Sequence, residues 1–176
     1  MLFNKPNIIA TKKIINDKMI LFKNRKLKIL YYSFTIILLD QLSKFLILNK
    51  LDFEKSINII PNLLNFTLVK NKGAAFSLFN DSTTILAIIS VLASFLIVIF
   101  ILKSLQSSYW NSIGLAYLLG GTVGNGIDRV IKGYVVDFLE IVPINFPIFN
   151  FADISINIAV IFFIIDIVRT KYKSKY

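Results

Sequence analysis

Ten acidic residues stand in a chain of 176 that has no histidine and no cysteine. Five of them, Asp40, Asp128, Asp137, Asp153 and Asp166, lie inside or against long apolar stretches. A carboxylate at bilayer depth is costly, and function is the default reason to keep one there. With no imidazole base, no thiolate nucleophile and no set of zinc ligands, the chemistry open to these positions is carboxylate chemistry. Two carboxylates held within about 3 Å cannot both ionise, so one keeps a proton near neutral pH. Such a pair can take a proton from water with one member and donate one to a carbonyl oxygen with the other.

The polar residues around these acids have informative spacing. Asp40 and Lys44 are four apart, which on a helix puts them on one face and lets them pair. Asn71-Lys72-Gly73 reads as a turn, with Gly73 supplying a positive φ and Asn71 an amide that both donates and accepts. Five of the seven glycines fall between Gly114 and Gly126, and the four-residue step from Gly120 to Gly124 permits close helix approach. That stretch ends in Asn125, Asp128 and Arg129. Asn125–Asp128 and Asn150–Asp153 share the spacing Asn-x-x-Asp, which places amide and acid on one helical face. Internal symmetry alone would choose Asp128 as the partner of Asp153. Its neighbour Arg129 argues against that, because a salt-bridged acid stays ionised and donates poorly. Asp166, three before Arg169, is expected to pair with it. A phosphate-binding loop is not indicated, since no strand precedes the glycines and no Lys-Ser/Thr follows them.

The elements that carry these residues are membrane spans. The chain is 56% hydrophobic, with a mean hydropathy of +0.70. Thr84 to Leu102 has no charged residue, and its length crosses a core of about 30 Å. Four spans are expected: Leu27–Leu48, Thr84–Leu102, Asn111–Ile127 and Phe151–Val168. The formal charge is +10, but 12 of the 20 basic residues lie in the two tails rather than on a nucleic-acid-binding face. Lys/Arg excess marks the cytoplasmic side. Both termini are therefore expected inside, with Asn49–Thr83 and Lys132–Asn150 facing out. The expected fold is a mainly α membrane protein of four transmembrane helices with a small extracytoplasmic β-hairpin or cradle. A single catalytic domain spans 29–170, with β structure at about 50–83 and 132–150. The basic tails are 1–28, read as mostly disordered with room for a short interfacial helix, and 171–176. No small-x-small cleavage site follows the first apolar stretch, which speaks against a cleaved signal peptide. Alternation over Leu64–Val69 predicts a hairpin that turns at Asn71-Lys72-Gly73 and returns through Ala74–Phe79.

In series these segments resemble the lipoprotein signal peptidases (signal peptidase II), an aspartic peptidase family of bacterial inner membranes. The resemblance rests on Asp-Gln-x-x-Lys at 40–44, Asn-x-Gly-Ala-Ala-Phe at 71–76, Gly-Gly-x-x-Gly-Asn-x-x-Asp-Arg at 120–129, Val-Val-Asp-Phe at 135–138 and Phe-Asn-x-Ala-Asp at 149–153. It covers about residues 30–170. It implies removal of signal peptides from diacylglyceryl-modified prolipoproteins, with cleavage just before the lipidated cysteine. It also implies Asp137 and Asp153 as the catalytic pair, shaped by Asp40, Lys44, Asn71, Gly73, Asn125, Asp128, Arg129 and Asn150. No metal or other cofactor is expected. Partners are the lipidated substrates and the phospholipid bilayer, not nucleic acid, and the chain is expected to act as a monomer with its site at the extracytoplasmic face. Two other classes share parts of the pattern. One is a small ion- or proton-coupled transporter, for which the acids gather too closely at one mouth. The other is a carboxylate-metal enzyme acting on lipid phosphates.

Overall fold

The computed structural model describes residues 8–73, 82–104, 108–144 and 146–173. Four helices and three strands follow in the order α1 (Ile8–Leu48), β1 (Ser56–Ile60), β2 (Leu64–Asn71), α2 (Thr83–Lys103), α3 (Tyr109–Lys132), β3 (Val135–Ile141) and α4 (Phe151–Lys173). Three helical stretches, Asn24–Leu48, Thr83–Lys103 and Phe151–Tyr172, are long and apolar enough to cross a membrane.

α3, at 24 residues, is as long as α2 and α4, but it is richer in glycine and polar groups. Its position explains this. It packs against α1, α2 and α4, and a helix enclosed by protein does not need an apolar surface all round. Close approach depends on the glycines, as expected. A Cβ at Gly120 would lie 2.6 Å from Ile36 Cγ2, and one at Gly124 would lie 2.6 Å from Asp40 Oδ2. At its far end Gly133 adopts φ 74° and caps the helix, with its N–H donating to Arg129 O at 3.2 Å. This left-handed cap turns the chain directly into β3.

The strands form one antiparallel sheet in the order β1-β2-β3. Ser56 pairs with Thr67 across β1 and β2, and Val69 pairs with Asp137 across β2 and β3. Successive strand residues point to opposite faces. Val136 and Phe138 enter a buried cluster with Ile47 and Leu68, while Asp137 between them faces the other way. Both faces of β3 are covered at this point, and Val135 to Phe138 are all buried.

Three expectations change. Residues 1–28 were expected to be mostly disordered, yet α1 is continuous from Ile8 and runs 41 residues, about 60 Å. No glycine or proline interrupts it between Ile8 and Leu48, so nothing in the sequence stops helix propagation. The hairpin also has a different turn. β1 and β2 are joined through residues 61–63, with Asn62 at φ 57°, a conformation asparagine tolerates. The second neighbour of β2 is the distant strand β3, and the segment Ala74–Phe79 lies outside the described residues. Finally, Asp166 and Arg169 part company. Asp166 Oδ1 accepts from Ser108 Oγ at the start of α3, and the Arg169 guanidinium lies 5.0 Å from the Trp110 ring centre.

Candidate active site

The start of α4 organises the site. Asn150 precedes the helix and Asp153 lies in its first turn. Asp153 N–H donates to Asn150 Oδ1 at 3.0 Å, and Asn150 N–H donates back to Asp153 Oδ2 at 3.1 Å. This reciprocal pair satisfies two N–H groups that a helix start leaves without intrahelical partners. The Asn-x-x-Asp spacing at 150–153 is thus a capping box rather than simply one helical face. With its oxygen occupied by the cap, Asn150 turns its Nδ2 to Asp137 Oδ1 at 2.6 Å and to Asn125 Oδ1 at 3.0 Å. One residue therefore holds both carboxylates, Asp137 through its side-chain NH₂ and Asp153 through its backbone N–H.

β2 supplies the second support. Asn71 is the diagonal neighbour of Asp137 across the β2–β3 ladder, since Val69 pairs directly with Asp137. Its Oδ1 accepts from Gly73 N–H at 3.0 Å, and its Nδ2 donates to Asp137 Oδ2 at 2.8 Å. Gly73 enters the site only through this small turn. The expectation that the Asn71 amide both donates and accepts holds, but one of its two partners is a side chain.

α1 and α3 supply the buried frame. Lys44 Nζ lies 2.8 Å from Asp40 Oδ2, 2.9 Å from Asp128 Oδ2 and 3.0 Å from Asn125 Oδ1. Asn125 Nδ2 in turn donates to Asp153 Oδ1 at 2.8 Å. Asp40 also accepts from Ala152 N–H at 2.9 Å, which ties α1 to the first turn of α4. Asp128 accepts from Val136 N–H at 3.2 Å, which ties α3 to β3 beside Asp137. Lys44, Asp40 and Asp128 are essentially without solvent exposure, so this frame is stable only because every member has partners.

Asp128 does stay paired, but not through Arg129. Its ion pairs are with Lys44 and with Lys132, at 2.9 Å each. Arg129 Nη1 instead reaches Ser90 Oγ at 3.3 Å, and its guanidinium feels the charges of Asp153 and Asp137. Residues i and i+1 diverge around a helix, so adjacency cannot make that pair. Lys132 did not figure in the sequence reading, although it stands four residues after Asp128 in the same relation as Asp40 and Lys44. Gln41, until now only a letter of the 40–44 motif, also takes part: its Nε2 donates to Asp40 Oδ2 at 3.1 Å and to Gly124 O at 3.0 Å.

The two central acids differ in setting. Asp137 is 1% exposed, whereas Asp153 keeps part of its surface open. Burial, reinforced by the charge of Asp153, lifts the Asp137 carboxyl from 3.8 to about 7, against the pull of Asn71, Asn150 and Lys44.

Comparison with known proteins identifies the family and the fold. A family model described as signal peptidase (SPase) II matches residues 32–169. The lipoprotein signal peptidase of Parasynechococcus marenigrum is 41% identical over 152 residues, covering 86% of this chain and 96% of that protein. That of Enterococcus faecalis is 36% identical over 152 residues, covering 85% and 94%. A solved bacterial membrane enzyme superposes with a TM-score of 0.76 at 32% identity, covering 82% of this chain and 89% of the other. A second superposes at 0.72 with 33% identity, covering 80% and 92%. The chain belongs to the signal peptidase II family.

Proposed function

We propose that the protein is a membrane aspartic endopeptidase that removes signal peptides from diacylglyceryl-modified prolipoproteins, cutting before the lipidated cysteine, with Asp137 and Asp153 as its catalytic pair. The observation that carries this reading is Asn150, which bonds both carboxylates, that of Asp137 through its side-chain NH₂ and that of Asp153 through its backbone N–H. Asp137, near neutral in its titration, holds the shared proton and donates it to the scissile carbonyl oxygen. Asp153, at the positive end of the α4 dipole and bonded by Asn150 N–H and Asn125 Nδ2, takes a proton from the attacking water. The remaining frame residues position these two: Asp40 and Asp128 hold Lys44, Lys44 holds Asn125, and Asn125 and Asn71 hold the acids.

In the bilayer, α3 is the fourth crossing, screened from lipid by its three neighbours. Both termini lie in the cytoplasm, where the basic tails belong. The sheet and the acid pair then lie at the extracytoplasmic face of the bacterial cytoplasmic membrane. The glycines of α3 are consumed within the bundle, Gly120 and Gly124 against α1, Gly114 and Gly121 against α4 and Gly126 against α2, which suits a chain that works as a monomer.

The test is cleavage of a diacylglyceryl prolipoprotein in detergent, with and without chelator. The wild type should cleave in both conditions. Asp137→Asn and Asp153→Asn should each lose at least about 10²–10⁴-fold while remaining folded. Robust cleavage by either variant refutes the pair. Loss of wild-type activity in chelator would point to a carboxylate-metal enzyme instead, and proton flux in substrate-free liposomes would point to a transporter.

A further inference from the structure

α1 and α2 meet far from the acid pair. Ile29 and Ile101 share a buried cluster with Leu115, and beside it Lys26 Nζ donates to Leu102 O at 2.6 Å. From there an open groove of about 330 Å³ runs between the two helices, with α3 as its floor, lined by Leu30, Phe34, Ile37, Phe95, Val98 and Leu119. Ser33 and Ser94 also line it, but their hydroxyl hydrogens are used within their own helices. Ser33 Oγ donates to Ile29 O at 2.8 Å and Ser94 Oγ to Ser90 O at 2.7 Å. The wall has no hydroxyl hydrogen left over for a polar ligand, so its complement is hydrocarbon.

The mouth of the groove is cationic. Lys26 stands on α1 one turn before Leu30, and Lys103 ends α2. α2 contains no acid, and Asp40, the acid of α1 nearest the groove, is bound to Lys44. Asp166, on α4 at the same membrane surface, accepts from Ser108. The dimensions match a lipid chain. Ile37 lies 11 positions beyond Lys26, about 16 Å along the helix, and half of the hydrocarbon core is about 15 Å.

We infer that α1 and α2 form a binding site for one anionic phospholipid, its phosphate at Lys26 and Lys103 and one acyl chain laid along Leu30, Phe34 and Ile37 against Phe95 and Val98. The occupant is set by charge complementarity at the mouth and by the apolar wall. The site rests on the membrane placement proposed above, which puts this mouth at the cytoplasmic surface, where anionic lipids attract juxtamembrane cations.

The experiment titrates the purified full chain in mild detergent with dioleoyl phosphatidylglycerol or dioleoyl phosphatidylcholine and counts bound lipid by native mass spectrometry. One phosphatidylglycerol should be retained in preference to phosphatidylcholine. The double variant Lys26→Gln/Lys103→Gln should weaken that binding about thirtyfold, at roughly fivefold per cation. Ser94→Phe, which fills the groove with both cations intact, should also weaken it, with Ser94→Leu as the milder form if the first does not fold. Equal affinity for the two lipids, or phosphatidylglycerol binding unchanged in either the charge variant or a folded groove variant, overturns the site. Prolipoprotein cleavage by these variants in detergent should match the wild type. A wild type that binds the lipid but does not cleave would count against the peptidase reading and not against the site. Membrane placement is read separately, by labelling a single cysteine introduced at Asn24 from either side of sealed vesicles.

Discussion

Asp137→Asn separates what this carboxyl does for chemistry from what it does to stability. Asp137 is buried, and its pKa stands at about 7 against an ordinary value of 3.8. The folded protein therefore binds this proton more tightly than the unfolded chain does. Below about pH 4 both states carry the proton and Asp137 costs nothing. Between about pH 4 and 7 the unfolded chain has lost its proton while the folded state keeps it, so stability falls as pH rises. Above about pH 7 both states are ionised and the penalty levels off. A shift of about three units at about 1.4 kcal/mol per unit sets the whole penalty at ~4 kcal/mol, of which about 3 kcal/mol develops between pH 5 and pH 8. Asparagine does not titrate, so the variant lacks this decline. It does place an NH₂ group against the donors of Asn71 or Asn150, a pH-independent cost of about 1–3 kcal/mol. The assay is unfolding of both proteins in mild detergent at several values from pH 5 to pH 8. The stability difference should move by about 3 kcal/mol in favour of the variant across that range. Parallel curves, agreeing within about 1 kcal/mol, would refute the raised titration of Asp137 and with it the assignment of the shared proton to that residue.

Lys44→Met should cost about 3–5 kcal/mol in the same unfolding assay, because it strands the buried Asp40 and leaves Asp128 with Lys132 alone. Adding Asp40→Asn should recover part of that loss, and a single-variant cost below about 1 kcal/mol would show that the frame is not electrostatically coupled. Gly124→Ala should cost about 1–3 kcal/mol, since its Cβ would meet Asp40 Oδ2 at 2.6 Å and Asp40 is pinned by Lys44 and Ala152 N–H. Wild-type stability in that variant would mean that α1 and α3 can separate cheaply. Asn150→Ala removes a bond that favours the ionised form of Asp137, so the alkaline limb of its residual pH–rate profile should move to higher pH. A limb shifted to lower pH would count against Asp137 as the proton donor.

Much of the site was legible because the forces that place it are local. The i,i+4 rule gave Asp40–Lys44 and applies equally to Asp128–Lys132, which went unread because the adjacent Arg129 looked like the partner. The glycine step at 120 and 124 announced a close helix approach, and the structure gives Asp40 and Ile36 as what fills the space. The absence of histidine and cysteine narrowed the chemistry to carboxylates before any fold was known.

Local rules say nothing about partners far apart in the chain. Lys44 reaches Asp128, 84 positions on, only because α1 packs on α3 across glycines. Asp137 meets Asn71 because β2 pairs with a strand more than 60 residues away. Asn150 joins the two acids because helix capping uses its oxygen and leaves its NH₂ for the neighbouring strand. Residue types and short spacings supplied the acids, the amides and the lysine. Which amide serves which acid was decided by helix packing and strand register, because desolvated polar groups at those contacts must find partners among whatever the packing brings beside them.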